Sequence, residues 1–90
     1  MSKTATRHPT PAQIRAARGW LGLSQAAVAA KAGISSRTLL RIEAGNVPFQ
    51  GETLNKIGVV LQALGIEFLF EADEGVGVRV QASQGTRLPG

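Results

Sequence analysis

The stretch GISSRTLLRIEAG, residues 33–45, carries two kinds of side chain in register. At 3.6 residues per turn, Leu39 and Ile42 fall on one side of a helix, while Ser36, Arg37, Leu40 and Arg41 fall on the other. The outer side is a row of hydrogen-bond donors and positive charge around one leucine, chemistry that suits an anionic partner. The charge distribution points the same way. Up to Lys56 there are Lys3, Arg7, Arg15, Arg18, Lys31, Arg37, Arg41 and Lys56 against Glu43 and Glu52, a net +6. From Ile57 onward Arg79 and Arg87 face Glu67, Glu71, Asp73 and Glu74, a net −2. A basic front half and a mildly acidic back half suggest that the front meets a polyanion.

Other chemistries find little support. His8 is the only histidine, and no nucleophile–base pair, metal-ligand set or phosphate-binding glycine motif is visible, so neither an enzyme nor a cofactor is expected. GVGVRV, residues 75–80, is followed by no helix and resembles no cofactor loop. With no cysteine, disulfides and thiolate metal sites are excluded. No run of ~18 apolar residues occurs, and the first residues lack a signal-like apolar stretch, so a cytoplasmic protein is expected.

The elements that must position the donor row are marked by their ends. Residues 1–9 show no apolar periodicity and are expected to form a flexible basic arm. Thr10-Pro11-Ala12-Gln13 is a helix start, with Thr10 as cap, Pro11 in the first helical position and Gln13 closing a capping box. Ile14, Ala17 and Leu21 follow as the inward stripe, Trp20 is expected in the core, and Gly22 ends the helix. Ser24 caps a second helix, Gln25 to Ala32, with Val28, Ala29 and Ala32 inward. Gly33 stops it, and Ser35 caps the third helix, which ends near Ala44-Gly45. A loop, Asn46 to Gln50, leads to a fourth helix, Glu52 to Leu64, with Leu54, Ile57, Leu61 and Leu64 at helical spacing and Gly65 as its stop.

The period then changes to two. Ile66, Phe68 and Phe70 share one face of a strand, Val76, Val78 and Val80 repeat the alternation, and Asp73-Glu74-Gly75 is turn material. The domain plan is an arm (1–9), a helical unit (10–65), a strand hairpin (66–80) and a disordered polar tail (81–90).

The second and third helices are joined so tightly that they must cross steeply. A small residue, Ala29, falls where the backbones meet, and Gly33 falls where the chain reverses. Val28, Ile34, Leu39 and Ile42 close a small core. Together LSQAAVAAKAGISSRTLLRIEAG, and ETLNKIGVVLQALGI after it, resemble the helix-turn-helix of the Cro/phage-repressor family, also called XRE, from about Gln13 to Ile66. The resemblance rests on Leu23-Ser24-Gln25, Ala29, Gly33, Leu39, Ile42-Glu43 and Gly45. It implies a mainly α, lambda-repressor-like domain of four to five helices, here followed by a C-terminal strand or hairpin.

It also implies a sequence-specific regulator of double-stranded DNA, here expected to be a repressor, that lays helix 35–44 in the major groove. A groove ~12 Å wide admits one helix. By position, the base contacts are Ser36, Arg37, Leu40 and Arg41. Arg37 offers a two-pronged donor to a guanine, Leu40 offers contact to a thymine methyl, and Arg41 reaches either a base or a phosphate. Gln25, Ser35, Asn46 and Lys31 are the candidates for the DNA backbone, contacts that fix register without reading sequence. Glu43 is expected to pair with Arg18 of the first helix, turning its charge away from the phosphates. A bare hairpin is marginal in water, so Phe68, Phe70 and Val78 are candidates for a homodimer interface on a palindromic operator. The alternative is an antitoxin that binds a toxin protein and represses its own promoter.

Overall fold

The computed structural model describes residues 8–45 and 51–81. Four helices, α1 (Pro11–Leu21), α2 (Gln25–Ala32), α3 (Ser36–Ala44) and α4 (Gly51–Ala63), precede an antiparallel hairpin of β1 (Ile66–Glu71) and β2 (Glu74–Val80). The fold is mainly helical, of helix-turn-helix type.

Local chemistry sets the helix ends. Thr10 Oγ1 accepts from the Gln13 backbone N–H at 3.1 Å, and Gln13 Oε1 accepts from the Thr10 N–H at 2.9 Å, a complete capping box. Ser24 and Ser35 cap α2 and α3 by accepting from the N–H groups of Ala27 and Thr38. Gly33 closes α2 at φ 75°, a left-handed conformation that a β-carbon disfavours. Its neighbour Ile34 donates its N–H to the Ala29 carbonyl at 3.0 Å, which turns the chain into α3 within three residues.

The core is one cluster. Ile14, Ala17, Val28, Ala29, Leu39, Ile42, Ile57, Leu61, Ile66 and Phe68 are buried, with Leu21, Leu23, Ala32, Ile34, Leu54, Val60, Phe70 and Val78 packed around them. No helix among the described residues is long and apolar enough to cross a membrane.

Several expectations need correcting. Trp20 is not core; it is 69% exposed. Leu21, seven residues after Ile14, keeps the inward phase, and Trp20 lies about 100° round the helix from it. Leu64 is also exposed, because α4 stops at Ala63 and leaves Leu64 outside the helical stripe. Phe68, Phe70 and Val78, expected at a dimer interface, lie on the hairpin face that packs against the helices of their own chain. That packing buries the apolar face which would otherwise leave a bare hairpin marginal. Residues 1–7 lie outside the described residues, but the last two positions of the expected arm do not. Pro9 is buried with its ring over Gly58 of α4, and the His8 ring sits against Gly51.

The turn and the alternation also differ. The tight turn is Ala72-Asp73, both at positive φ, and not Asp73-Glu74-Gly75. Two-residue turns of this hand match the right-handed twist of the flanking strands. Phe70 faces Gly75 and Leu69 faces Gly77, so Val76 is an extra residue in a bulge. The bulge throws Val76 out of phase with Val78 and leaves it 55% exposed. Val80, opposite Ile66 at the strand end, is 42% exposed.

Candidate nucleic-acid interface

α3 presents its outer face because its inner face is anchored. Leu39 and Ile42 are fully buried, whereas Ser36, Arg37, Leu40 and Arg41 are all exposed. The four line one open groove with Gln25 from the start of α2. Among the described residues no hydrogen bond or ion pair engages the side chain of Arg37, Arg41 or Lys31, and all three residues are exposed.

The acid of α3 is kept out of this groove. Glu43 is 4% exposed and receives a two-pronged bond from Arg18, Nε to Oε2 at 2.7 Å and Nη2 to Oε1 at 2.8 Å. Arg18 also donates Nη1 to the Leu23 carbonyl at 3.0 Å, tying the α1–α2 corner to the same guanidinium. Gln25 Nε2 donates to Glu43 Oε1 at 3.0 Å. Burial pushes the Glu43 carboxyl upward, but the bonds from Arg18 and Gln25 and the charges of Arg18 and Arg15 outweigh it. The carboxyl ends below its ordinary value. Hydrogen bonding to Glu43 in turn raises Arg18, against a smaller opposing effect of its own burial.

One member of this network was not anticipated from sequence. Arg15 donates Nη1 to the Glu43 carbonyl near the C-terminal end of α3, where a cation is favoured. Its spacing of three from Arg18 was the available signal. Ser35, expected to face the DNA backbone, spends its hydroxyl locally, accepting from the Thr38 N–H at 3.0 Å and donating to Thr38 Oγ1 at 2.9 Å. What Ser35 offers a phosphate lies in the helix N-terminus it caps. Asn46 lies outside the described residues.

A second, structural hub joins the hairpin to α1. Gln13 is 3% exposed, and beyond its capping role its Nε2 donates to the carbonyls of Leu69 and Gly77, both at 2.8 Å. A β-carbon on Gly75 would lie 2.6 Å from Gln13 Cδ and 2.9 Å from Thr10 Cγ2. The bulge and its glycines therefore let the amide reach both strands.

Two short helices at a tight glycine turn, the second offering a free basic face beside the N-terminus of the first, define a DNA-binding type of domain. The chain belongs to the helix-turn-helix domain family, whose model matches it over residues 12–68, from α1 into β1. No curated protein matches the chain in sequence.

Proposed function

We propose that the protein is a sequence-specific, double-stranded DNA-binding transcriptional regulator of the Cro/phage-repressor type, acting in the cytoplasm on the nucleoid. α3 enters the major groove, and the chain acts as a repressor by occupying its operator. The observation that carries the reading is the division of charge on α3. Arg37 and Arg41 face outward around Leu40, while Glu43 is turned inward and neutralised by Arg18. Gln25 and Lys31 add phosphate-side donors on α2. The reading assigns the chain no catalytic step.

A homodimer on a palindromic operator fits the geometry of such modules, since one helix reads few base pairs and two copies read half-sites one or more DNA turns apart. The two-stranded sheet leaves one backbone edge of each strand without a partner in the sheet, and exposed Val76 and Val80 lie on β2. Light scattering at twice the 9.4 kDa chain mass supports the dimer, and a single-chain mass on and off DNA removes it.

The test of the DNA reading is enrichment of binding sites from a random duplex pool, followed by titration against salt. The expected result is an enriched motif bound at least about 10³-fold more tightly than scrambled duplex. Affinity should fall steeply with salt as phosphate contacts release counterions. Equal affinity for all duplexes would overturn sequence-specific regulation. An antitoxin reading is favoured by one observation, the exposure of Trp20, a large aromatic side chain open to a protein partner. A stoichiometric complex with the product of a neighbouring gene, with a blue shift of Trp20 emission, distinguishes that reading.

A further inference from the structure

The face of α3 speaks to which bases it reads. In the major groove guanine shows two acceptors, adenine an acceptor beside a donor, and cytosine a donor. A side chain that reads adenine needs a donor and an acceptor together, and one that reads cytosine needs an acceptor. Arginine has donors only. Among the described residues, the acceptor-bearing side chains of α3 itself, Ser36 apart, are turned inward or engaged locally. Glu43 is buried on Arg18, and the Ser35 hydroxyl donates to that of Thr38, while Gln25, on α2 at the groove's wall, is held by the bond its Nε2 donates to Glu43. What α3 itself offers the open groove is Arg37 and Arg41, whose side chains have no partner among the described residues, the adaptable Ser36 hydroxyl, and Leu40, 52% exposed.

We propose that each half-site contains two guanines, one read by Arg37 and one by Arg41, with a thymine between or beside them whose methyl meets Leu40. The inference rests on the groove-entering role of α3 given above. The two arginines are four residues apart, ~6 Å along the helix axis, on one face. At 3.4 Å per base step that spans about two steps, so the guanines lie within about three base pairs of each other. The thymine methyl is the one apolar group an unmodified major groove displays, and it accounts for a leucine held in solvent between two arginines.

The experiment selects sites from a random duplex pool with the full chain and with Arg37→Ala and Arg41→Ala, both exposed positions whose folding is checked by thermal melts. The wild-type motif should hold two guanines within three base pairs, and each variant should lose preference at one of them. On the selected duplex, 7-deazaguanine at either position should weaken wild-type binding roughly 5- to 100-fold and leave the matching variant nearly unchanged. Uracil in place of the thymine should weaken wild type but not Leu40→Ala. A motif with no guanine or one guanine, or an Arg41→Ala variant that loses affinity equally on every sequence, overturns this inference and leaves the regulator reading standing. Failure to enrich any duplex overturns both.

Discussion

Arg18 of α1 and Glu43 of α3 form a two-pronged ion pair in which the Glu43 side chain is almost wholly buried while the Arg18 side chain is 24% exposed. The pair fixes the orientation of α3 against α1 and removes the one negative charge from the helix that faces outward. Around it, Gln25 donates to the carboxylate, Arg15 donates to the Glu43 backbone carbonyl, and the Leu23 carbonyl accepts from Arg18.

Removing one member should cost more than the pair is worth. Arg18→Met leaves a buried carboxylate without its cation, and a loss of about 3 kcal/mol in urea-unfolding free energy is expected. Arg18→Met combined with Glu43→Leu should recover much of that loss, because an apolar pair replaces the charges. A double variant as unstable as the sum of the two single ones would show that the pair itself carries the stability.

The same pair sets an acid limit. The Glu43 carboxyl is held below its ordinary value in the folded chain, so on acidification the unfolded chain takes up that proton first. Its stabilising contribution is therefore complete above the unfolded value of about 4.3 and is lost as pH falls through the lower folded value. Between pH 6 and pH 3 the unfolding free energy of wild type should drop more steeply than that of Glu43→Gln. Parallel curves would remove Glu43 from the acid response.

Gly75 and Gln13 form a second coupled site. Gly75→Ala should destabilise by about 2 kcal/mol, since the new methyl meets a carboxamide that three hydrogen bonds hold in place. Gln13→Ala should cost a similar amount by leaving the Leu69 and Gly77 carbonyls without their donor. In the double variant the clash with the carboxamide is gone and only the Thr10 methyl remains close, so the combined loss should fall below the sum. Additive losses in denaturant melts would mean that the two residues do not meet.

How much of this was legible before the structure follows from the range of each interaction. Caps act within three residues, so Thr10, Ser24, Ser35 and the glycine at Gly33 announce the helices and the tight corner directly. The outward face of α3 was legible because Leu39 and Ile42 set its phase. For Gln13 only the local capping role is legible; its other bonds reach carbonyls 56 and 64 residues away, which no local pattern encodes. The bulge at Val76 adds one residue to a period of two, and a valine alternation conceals it. Trp20 is the opposite case: its size and apolar character suggest the core, but its helical phase, set by Ile14 and Leu21, points it away.

Ala72 occupies a left-handed turn position at φ 52°, where its β-carbon is unfavourable. Ala72→Asn keeps the turn with a residue that tolerates this region, and stability should rise by about 0.5–1 kcal/mol. A higher melting temperature with unchanged DNA affinity checks it, because the turn is remote in sequence from α2 and α3.

Gln25 sits where binding and folding meet, at the first position of α2 and bonded to Glu43. In the proposed complex the N-terminus of α2 faces a phosphate, and contacts of that kind hold register without reading bases. Gln25→Ala should therefore weaken specific and scrambled duplexes by the same factor, unlike Arg37→Ala, which should weaken the selected site far more than scrambled DNA. Because the amide also helps hold Glu43 ionised, Gln25→Ala should in addition lower stability by about 1 kcal/mol near neutral pH. That extra loss should fade on acidification as Glu43 takes up its proton. Anisotropy titrations on both duplexes, paired with urea melts at two pH values, separate the two effects. A selective loss on the enriched site alone would place Gln25 among the base-reading residues instead.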